Sequence, residues 1–166
     1  TQAQPKGTQA LKAASATRHL AYVKDWNLFV QRADGKTLQV STDGTRELQY
    51  GLSVHRDEFG IHEGLFWSPK GNLLAFYRMD QTMVSDFPLV DIDHRVAQLA
   101  PEKYPIAGMT SPNVTVGIYN PATERTGYPQ AGDPTARYLT NRARSPDAST
   151  VPNIGTHPTP ETPAHD

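Results

Sequence analysis

The feature that most constrains the fold is a polar break between two aromatic-rich apolar runs near the middle of the chain. The first run is Gly64–Trp67, the break is Ser68–Asn72, and the second run is Leu73–Met79. Within the break, Pro69 presets φ to about −65° and Gly71 accepts a positive φ without a steric cost. A short break of this composition between two apolar runs predicts a β-hairpin.

Further strand-like runs lie on both sides of this hairpin. They are Leu20–Val23, Asn27–Val30, Thr37–Ser41, Leu48–Gly51, Asn113–Tyr119 and Thr126–Gln130. Gly-containing turns at 33–36 and 42–45 separate the earlier runs, and the last run is confined to an edge or a bulge by Pro129. Strands and turns at this spacing predict an all-β fold: a partial β-propeller of about two four-stranded antiparallel blades, with irregular termini.

The composition agrees with short strands and excludes several classes of protein. Of 166 residues, 37% are hydrophobic, and the 14 Pro and 12 Gly suit a chain with many turns. The net charge of −1 predicts neither a nucleic-acid-binding stripe nor a polybasic membrane segment. No apolar run reaches about 18 residues, so no membrane span is predicted, and the polar start lacks the apolar region of a signal peptide. Because cysteine is absent, disulfides and thiolate metal sites are excluded.

The pattern divides the chain into three parts. Residues 1–17 have no periodic apolar pattern, and we expect an irregular N-terminal segment there. Residues 18–141 carry the propeller pattern, interrupted at Asp80–Pro112 by a Pro- and charge-rich connection of a length that is usually functional or disordered. Residues 142–166 are Pro- and Thr-rich with little apolar content, so burial cannot offset the entropy of ordering and we expect disorder. This abrupt loss of pattern suggests a truncated or frame-disrupted reading of a longer protein.

Asp57 and Glu58, in the acidic turn-like segment Arg56–Gly60, are the chain's best candidates for a functional group. Carboxylates held rigidly beside a hairpin can bind a cationic group, but the same residues also fit a solvated acidic turn. A metal cluster is suggested by the grouping of His55, Asp57, Glu58, His62 and Glu63. Their spacing matches no His-Glu-x-x-His helix, so no metal site is predicted.

Other polar and aromatic groups are interpreted structurally. Gly51–His55 resembles the Gly-x-Ser-x-Gly nucleophile elbow but has a histidine in place of the last glycine, so no nucleophile is predicted. Arg78 and Asp80 lie on one strand face, which favours an ion pair or a loop anchor. Trp26 and Trp67 are predicted to pack in the blade cores.

Several stretches resemble one family of proteins. Trp67–Phe76, with the sequence WSPKGNLLAF, is similar to the hairpin repeated in β-propellers of the prolyl oligopeptidase type. Val54–Ile61, Phe66–Val84 and Tyr104–Tyr119 together resemble bacterial members of the dipeptidyl peptidase IV branch, and the nearest likeness is to the prolyl tripeptidyl peptidases. The resemblance runs from Arg18 to Asn141.

The resemblance implies a function and a site. The chain would be part of the N-terminal propeller of a proline-specific serine exopeptidase, which gates access to the active site. There Glu58, with Asp57 beside it, would bind the free α-ammonium of a peptide substrate. Whether two or three residues are removed per cut stays open. The family carries its Ser–His–Asp triad in a C-terminal α/β-hydrolase domain, so we expect no catalytic residue in this chain and no cofactor or metal.

The resemblance also carries expectations beyond the site. It favours an ordered course for the 80–112 connection, the start of a third blade at Arg137–Asn141, and a possible homodimer of the full-length enzyme. A periplasmic, cell-surface or secreted location would follow. A different class of function, a non-catalytic propeller that acts as a protein-interaction scaffold, fits the Trp-Ser-Pro hairpin equally well.

Overall fold

The computed structural model of this protein describes residues 6–54, 60–93 and 95–129, together with the backbone of strands at 138–142 and 153–156. The strands are β1 Thr8–Ala13, β2 Leu20–Lys24, β3 Asn27–Gln31, β4 Thr37–Gln39, β5 Leu48–Tyr50, β6 Leu65–Trp67, β7 Leu74–Asp80, β8 Asp86–Phe87, β9 Val90–Asp91, β10 Gln98–Leu99, β11 Glu102–Lys103, β12 Asn113–Asn120, β13 Arg125–Gly127, β14 Tyr138–Arg142 and β15 Asn153–Thr156. The fold is all-β, as predicted. Among the residues described, no helix has the length and apolar character needed to cross a membrane.

The first four strands form an antiparallel sheet in chain order, which is the arrangement of one propeller blade. β2 and β3 pair from Leu20 opposite Gln31 to Lys24 opposite Asn27. Asp25 and Trp26 alone form the turn between them, with φ of 49° and 59°. Two positive φ values in a two-residue loop define a type I′ turn, whose twist matches that of the flanking strands.

The second sheet is a blade whose first strand is interrupted. β7 pairs along its length with β12, from Leu74 opposite Tyr119 to Asp80 opposite Asn113, and β13 continues the sheet beyond β12. On the other edge of β7, β5 and β6 pair one after the other. Together they take the place of a single strand, so the two sheets form about two four-stranded blades, as predicted.

The β6–β7 hairpin contains the turn that its sequence predicts. The Ser68 backbone N–H donates to the Leu73 carbonyl at 2.8 Å, and Gly71 N–H donates to the Ser68 carbonyl at 2.8 Å. The Ser68 hydroxyl donates to Asn72 Oδ1 at 2.7 Å and accepts from Leu73 N–H at 3.0 Å. Gly71 has φ +66°, the left-handed conformation expected of it.

One hydrophobic core joins the two sheets. Its buried members are Ala21, Val23, Leu28 and Val30 from the first sheet and Tyr50, Leu65, Leu74, Phe76 and Tyr119 from the second. Trp67 packs against this cluster, and its indole Nε1 donates to the Lys12 carbonyl of β1 at 3.0 Å. The prediction that Trp67 is a core aromatic is therefore confirmed.

The described residues of the long connection between β7 and β12 include four short paired strands, in line with the ordered course that the resemblance implied. β8 pairs with β11 and β9 with β10, which gives a hairpin over residues 86–103 that we call the arm. At its base, Lys103 Nζ lies 3.1 Å from Glu47 and 3.5 Å from Asp86, and donates to the Val84 carbonyl at 3.0 Å. The large apolar side chains exposed on the arm are Phe87, Leu89, Val90, Ile92, Val96 and Leu99.

The N-terminal segment departs from the prediction. The sequence predicts an irregular segment over residues 1–17, but Thr8–Ala13 is a strand that pairs with β2. Its side chains alternate between half-buried and exposed, yet most are small or polar, so the alternation leaves no apolar signal. β1 is thus the first strand of the first sheet, and β5 joins the second sheet.

Trp26 is not a core aromatic, contrary to the prediction. It lies half-buried in the β2–β3 turn, where its backbone N–H donates to Gln9 Oε1 at 2.8 Å. Its carbonyl accepts from Tyr50 N–H at 3.1 Å. The full pairing of β2 with β3 leaves this residue in the turn, so its backbone rather than its indole links the sheets.

The C-terminal strands alter one further expectation. β14 overlaps the predicted start of a third blade and pairs with β15. β15 lies inside the segment expected to be disordered, and its backbone pairing with β14 corrects that expectation for Asn153–Thr156. The rest of 143–166 lies outside the described residues. The boundaries 1–17, 18–141 and 142–166 as domain limits stay a prediction.

Gly117 offers a test of the shared core. It pairs with Phe76 across β12 and β7, and a Cβ at Gly117 would lie 2.1 Å from the Phe76 ring. Because Phe76 is fully buried, we expect Gly117→Ala to lower the free energy of unfolding in urea by about 1–3 kcal/mol through overpacking. Gly127→Ala in β13 is the control, since its Cβ would meet no atom within 4 Å. It should change stability by less than about 0.5 kcal/mol. Equal losses in the two variants would contradict this account of the core.

Candidate functional site

The candidate site begins where the chain leaves the edge of β7. Residues 52–63, which we call the acidic insertion, separate β5 from β6 along that edge. Tyr77 stands between the two paired stretches, and its carbonyl accepts from Gly51 N–H at 2.7 Å. Its own N–H donates to the Gly64 carbonyl at 3.1 Å. Both ends of the insertion are therefore bonded to the same residue.

Glycine is required at both ends of this neck. Gly51 has φ +69°, a conformation that residues with a side chain rarely adopt. A Cβ at Gly64 would lie 2.1 Å from the Leu52 carbonyl oxygen, and backbone atoms cannot move aside as a flexible side chain could. The two glycines thus allow the outgoing and returning chain to touch.

The base of the acidic insertion is also buried. Val54 and Ile61 are packed in a second core cluster with Tyr77, Met79, Val114 and Val116, against the half-buried Phe66. The Ser53 hydroxyl donates to the Ile61 carbonyl at 2.8 Å, which bridges the two legs. A loop with adjoining ends and side chains packed at its base has the character of an Ω-loop, a kind of loop that often carries function.

Asp57 and Glu58, the predicted site residues, lie outside the described residues, as do His55, Arg56 and Phe59. What the structure describes is their support. In the sequence they fall between Val54 and Ile61, and these two flanking residues are packed in the second core cluster. The remaining residues of the metal cluster considered from the sequence, His62 and Glu63, are described, and no group of three or more potential metal ligands occurs within the described ranges.

An ion pair crosses from the insertion to the first sheet. Lys12 Nζ of β1 lies 2.6 Å from both carboxylate oxygens of Glu63. The two side chains border a groove of about 520 Å³ between β1 and the neck, which Gln9, Leu11, Ser53 and His62 also line. Sequence reasoning missed Lys12 because it lies in the segment read as irregular. The glycines at 51, 60 and 64 were the available signal for a closed loop.

A second polar cluster supports the start of the insertion from the other side. The buried Tyr50 donates its hydroxyl to Asp43 Oδ1 at 2.8 Å and accepts from Arg78 Nε at 3.2 Å. The Arg78 guanidinium also lies 5.9 Å from the centre of the Tyr50 ring. Burial raises the pKa of Tyr50, so its hydroxyl stays protonated and able to donate. This cluster fixes β5 just before the neck.

Two residues singled out from the sequence make contacts within their own loops. The Ser53 hydroxyl donates to the Ile61 carbonyl at 2.8 Å. Asp80 accepts from the backbone N–H of Thr82 at 3.1 Å and from its hydroxyl at 2.7 Å, which makes it the predicted loop anchor.

Comparison with known proteins places this architecture in a family. The family model described as the dipeptidyl peptidase IV N-terminal region matches residues 1–152. The chain belongs to this family. A crystal structure assigned as a dipeptidyl aminopeptidase IV from Bacteroides ovatus matches 92% of the chain with a TM-score of 0.81 and 46% identity. Dipeptidyl peptidase 4 from Porphyromonas gingivalis matches 90% of the chain with a TM-score of 0.79 and 25% identity.

Curated relatives from fungi extend the similarity. Sequences assigned as dipeptidyl-aminopeptidase B are 29% identical in Talaromyces stipitatus, over 70% of this chain, and 31% identical in Arthroderma gypseum, over 69%. The chain spans 15% and 14% of the length of these two relatives and 21% and 22% of the two crystallised chains. It therefore corresponds to a small part of each dipeptidyl peptidase IV relative.

The bridge at the base of the acidic insertion can be tested by proteolysis. Ser53→Ala removes the bond to the Ile61 carbonyl, which contributes about 1 kcal/mol, so the open form of the insertion should become about fivefold more populated. We expect a matching rise in the rate of trypsin cleavage after Arg56, measured by mass spectrometry. Thr126→Ala, which removes a hydroxyl on exposed β13, should leave that rate unchanged. An unchanged rate in Ser53→Ala would show that the bridge does not hold the insertion closed.

Proposed function

We propose that this chain is part of the N-terminal, substrate-gating propeller of a proline-specific serine exopeptidase and that Glu58 binds the free amino terminus of the peptide substrate. One observation supports the proposal most directly. In a member of the dipeptidyl peptidase IV N-terminal family, the acidic residues occupy an insertion whose two ends are clamped on Tyr77 at the edge of the second blade.

The chemistry of recognition follows from the two charged groups. A carboxylate accepts hydrogen bonds and an ammonium group offers three donors, so the pair forms charge-assisted bonds. A carboxylate at a fixed distance from the reactive centre selects peptides whose amino terminus lies at that distance from the bond to be cleaved. Such a fixed charge makes an enzyme an exopeptidase, because peptide bonds in the middle of a long chain have no ammonium group at the right distance.

Asp57 takes a secondary place in this proposal. It adjoins Glu58 and adds negative charge near the ammonium, whereas Arg56 beside it offers an alternative partner. The distance from Glu58 to the reactive centre decides whether two or three residues are removed, and the two cleavage patterns stay open.

The reaction itself is assigned to the rest of the parent protein. We propose a C-terminal α/β-hydrolase domain with a Ser–His–Asp triad as the partner of this propeller, with no cofactor. The chain's share of its relatives, 14% to 22% of their length, leaves room for such a domain. A homodimer of the full-length enzyme and a periplasmic, cell-surface or secreted location are further parts of the proposal.

The test is a pair of conservative substitutions in the full-length enzyme. Glu58→Gln removes the charge and keeps the shape, and loss of a charge-assisted bond of about 1.5–3 kcal/mol should raise KM about 10- to 100-fold for peptides with a free amino terminus. Asp57→Asn is the matched control, with an expected change below about threefold because the ammonium keeps its main partner. Chromogenic Xaa-Pro and Xaa-Xaa-Pro amides would report both KM and the number of residues removed.

The outcomes of this test are distinct. An unchanged kcat/KM in Glu58→Gln would remove Glu58 from the site. A larger effect in Asp57→Asn than in Glu58→Gln would reverse the roles of the two carboxylates.

A protein-interaction scaffold is the second candidate, and the exposed apolar side chains of the arm favour it. Ile92 and Val96 are 80% and 76% exposed, and with the four other exposed apolar side chains of the arm they offer apolar surface of the kind that binds a partner protein. The sequence that follows this chain in its gene separates the candidates. We expect a Gly-x-Ser-x-Gly motif followed by Asp and His, whereas further blades without that motif would support the scaffold.

A further inference from the structure

The acidic insertion is attached at two different places. Within the second blade it is held by the Tyr77 backbone, by the Ser53–Ile61 bridge and by the burial of Val54 and Ile61. Toward the first blade, the polar side-chain contact among the described residues is the bidentate Lys12–Glu63 pair at 2.6 Å. The insertion therefore touches both blades, and Glu63 is the residue that carries the second contact.

Lys12 is itself well placed to act as a fixed point. It lies one pair before the end of the β1–β2 ladder, opposite Ala21, whose side chain is fully buried. The Lys12 carbonyl also accepts from the Trp67 indole at 3.0 Å, so this residue takes part in the joint between β1 and β6. Its ammonium group thus starts from a backbone that is tied to both sheets.

We propose that Lys12 is a positioning residue for the amine-binding segment and that it acts through Glu63. The inference rests on the proposed function of Glu58. Glu63 lies five residues after Glu58 and directly before Gly64 at the neck. A loop held only at its neck can pivot about that point, whereas a second attachment to the neighbouring blade fixes the direction of its returning leg.

The strength of the pair fits this role better than a role in stability. The Lys12 and Glu63 side chains are 39% and 53% exposed, and ion pairs with that exposure contribute little to the free energy of unfolding. Their effect on the orientation of a binding group can still be large, because small displacements of a positioned group cost much of its effect on the reaction.

The test uses charge reversal in the full-length enzyme. Lys12→Glu and Glu63→Lys each place like charges together at the joint, and we expect each to raise KM for peptides with a free amino terminus by about five- to tenfold, with kcat changed less than about twofold. The double variant Lys12→Glu/Glu63→Lys restores an attractive pair of reversed polarity. Its KM should return to within about twofold of the original value.

Lys36→Glu is the matched control. Lys36 Nζ lies 3.2 Å from Glu124, and both side chains are exposed. This pair also crosses between the two sheets, but it does not involve the insertion. Lys36→Glu should leave KM unchanged while producing a shift in Tm similar to that of Lys12→Glu. A rise in KM of equal size in both variants would reduce Lys12 to a general structural contact and overturn the inference.

The same experiment separates this inference from the function on which it rests. If Glu58→Gln raises KM and the Lys12 and Glu63 variants do not, or if the double variant fails to recover, the positioning role is wrong and the role of Glu58 stands. If Glu58→Gln also leaves KM unchanged, the proposed amine site and its positioning residue are both wrong.

Discussion

The described structure depends on the Tyr77 backbone, which binds two chain segments at once. Its carbonyl and its N–H bond Gly51 and Gly64, and so close the neck of the acidic insertion without breaking the antiparallel edge of β7. Because a Cβ at Gly64 would overlap the Leu52 backbone, the neck can close only with glycine there. A blade can therefore carry an inserted acidic segment and still keep both halves of its interrupted first strand paired with β7.

The pairing of both halves with β7 matters because the core between the blades packs against both β5 and β6. Tyr50 from β5 and Leu65 from β6 both enter the cluster with Val23, Leu28 and Phe76. If the two halves of the strand separated, apolar burial would be lost on both sides of the insertion. The energetics of the fold and the attachment of the acidic insertion thus rest on the same few residues.

Much of the fold could be predicted from the sequence, and the errors have physical causes. The β6–β7 hairpin follows from local turn chemistry, since Pro69 and Gly71 act on their own backbone. β1 was missed because its small and polar side chains give no apolar alternation, although its neighbour β2 is buried. The sequence predicts Trp26 as a core residue because an aromatic residue usually buries its ring, whereas the ladder of β2 and β3 leaves it in a turn. Charge and resemblance identify Asp57 and Glu58 as a candidate pair. The backbone and side-chain contacts that fix the ends of their segment could not be predicted from the sequence.

The sequence by itself determined the all-β class, the positions of most strands and the acidic segment as the candidate site, because strands, turns and charge patterns depend on residues close together in the chain. Only the tertiary structure decided which sheet β5 joins, how Tyr77 closes the insertion and that Lys12 meets Glu63. The last two residues are 51 positions apart, and Gly51 lies 26 positions before Tyr77. No local pattern encodes contacts of that separation. The Gly51–Tyr77 contact forms only when β5 pairs with β7 in the second sheet, and the Lys12–Glu63 contact only when β1 of the first sheet lies beside the insertion.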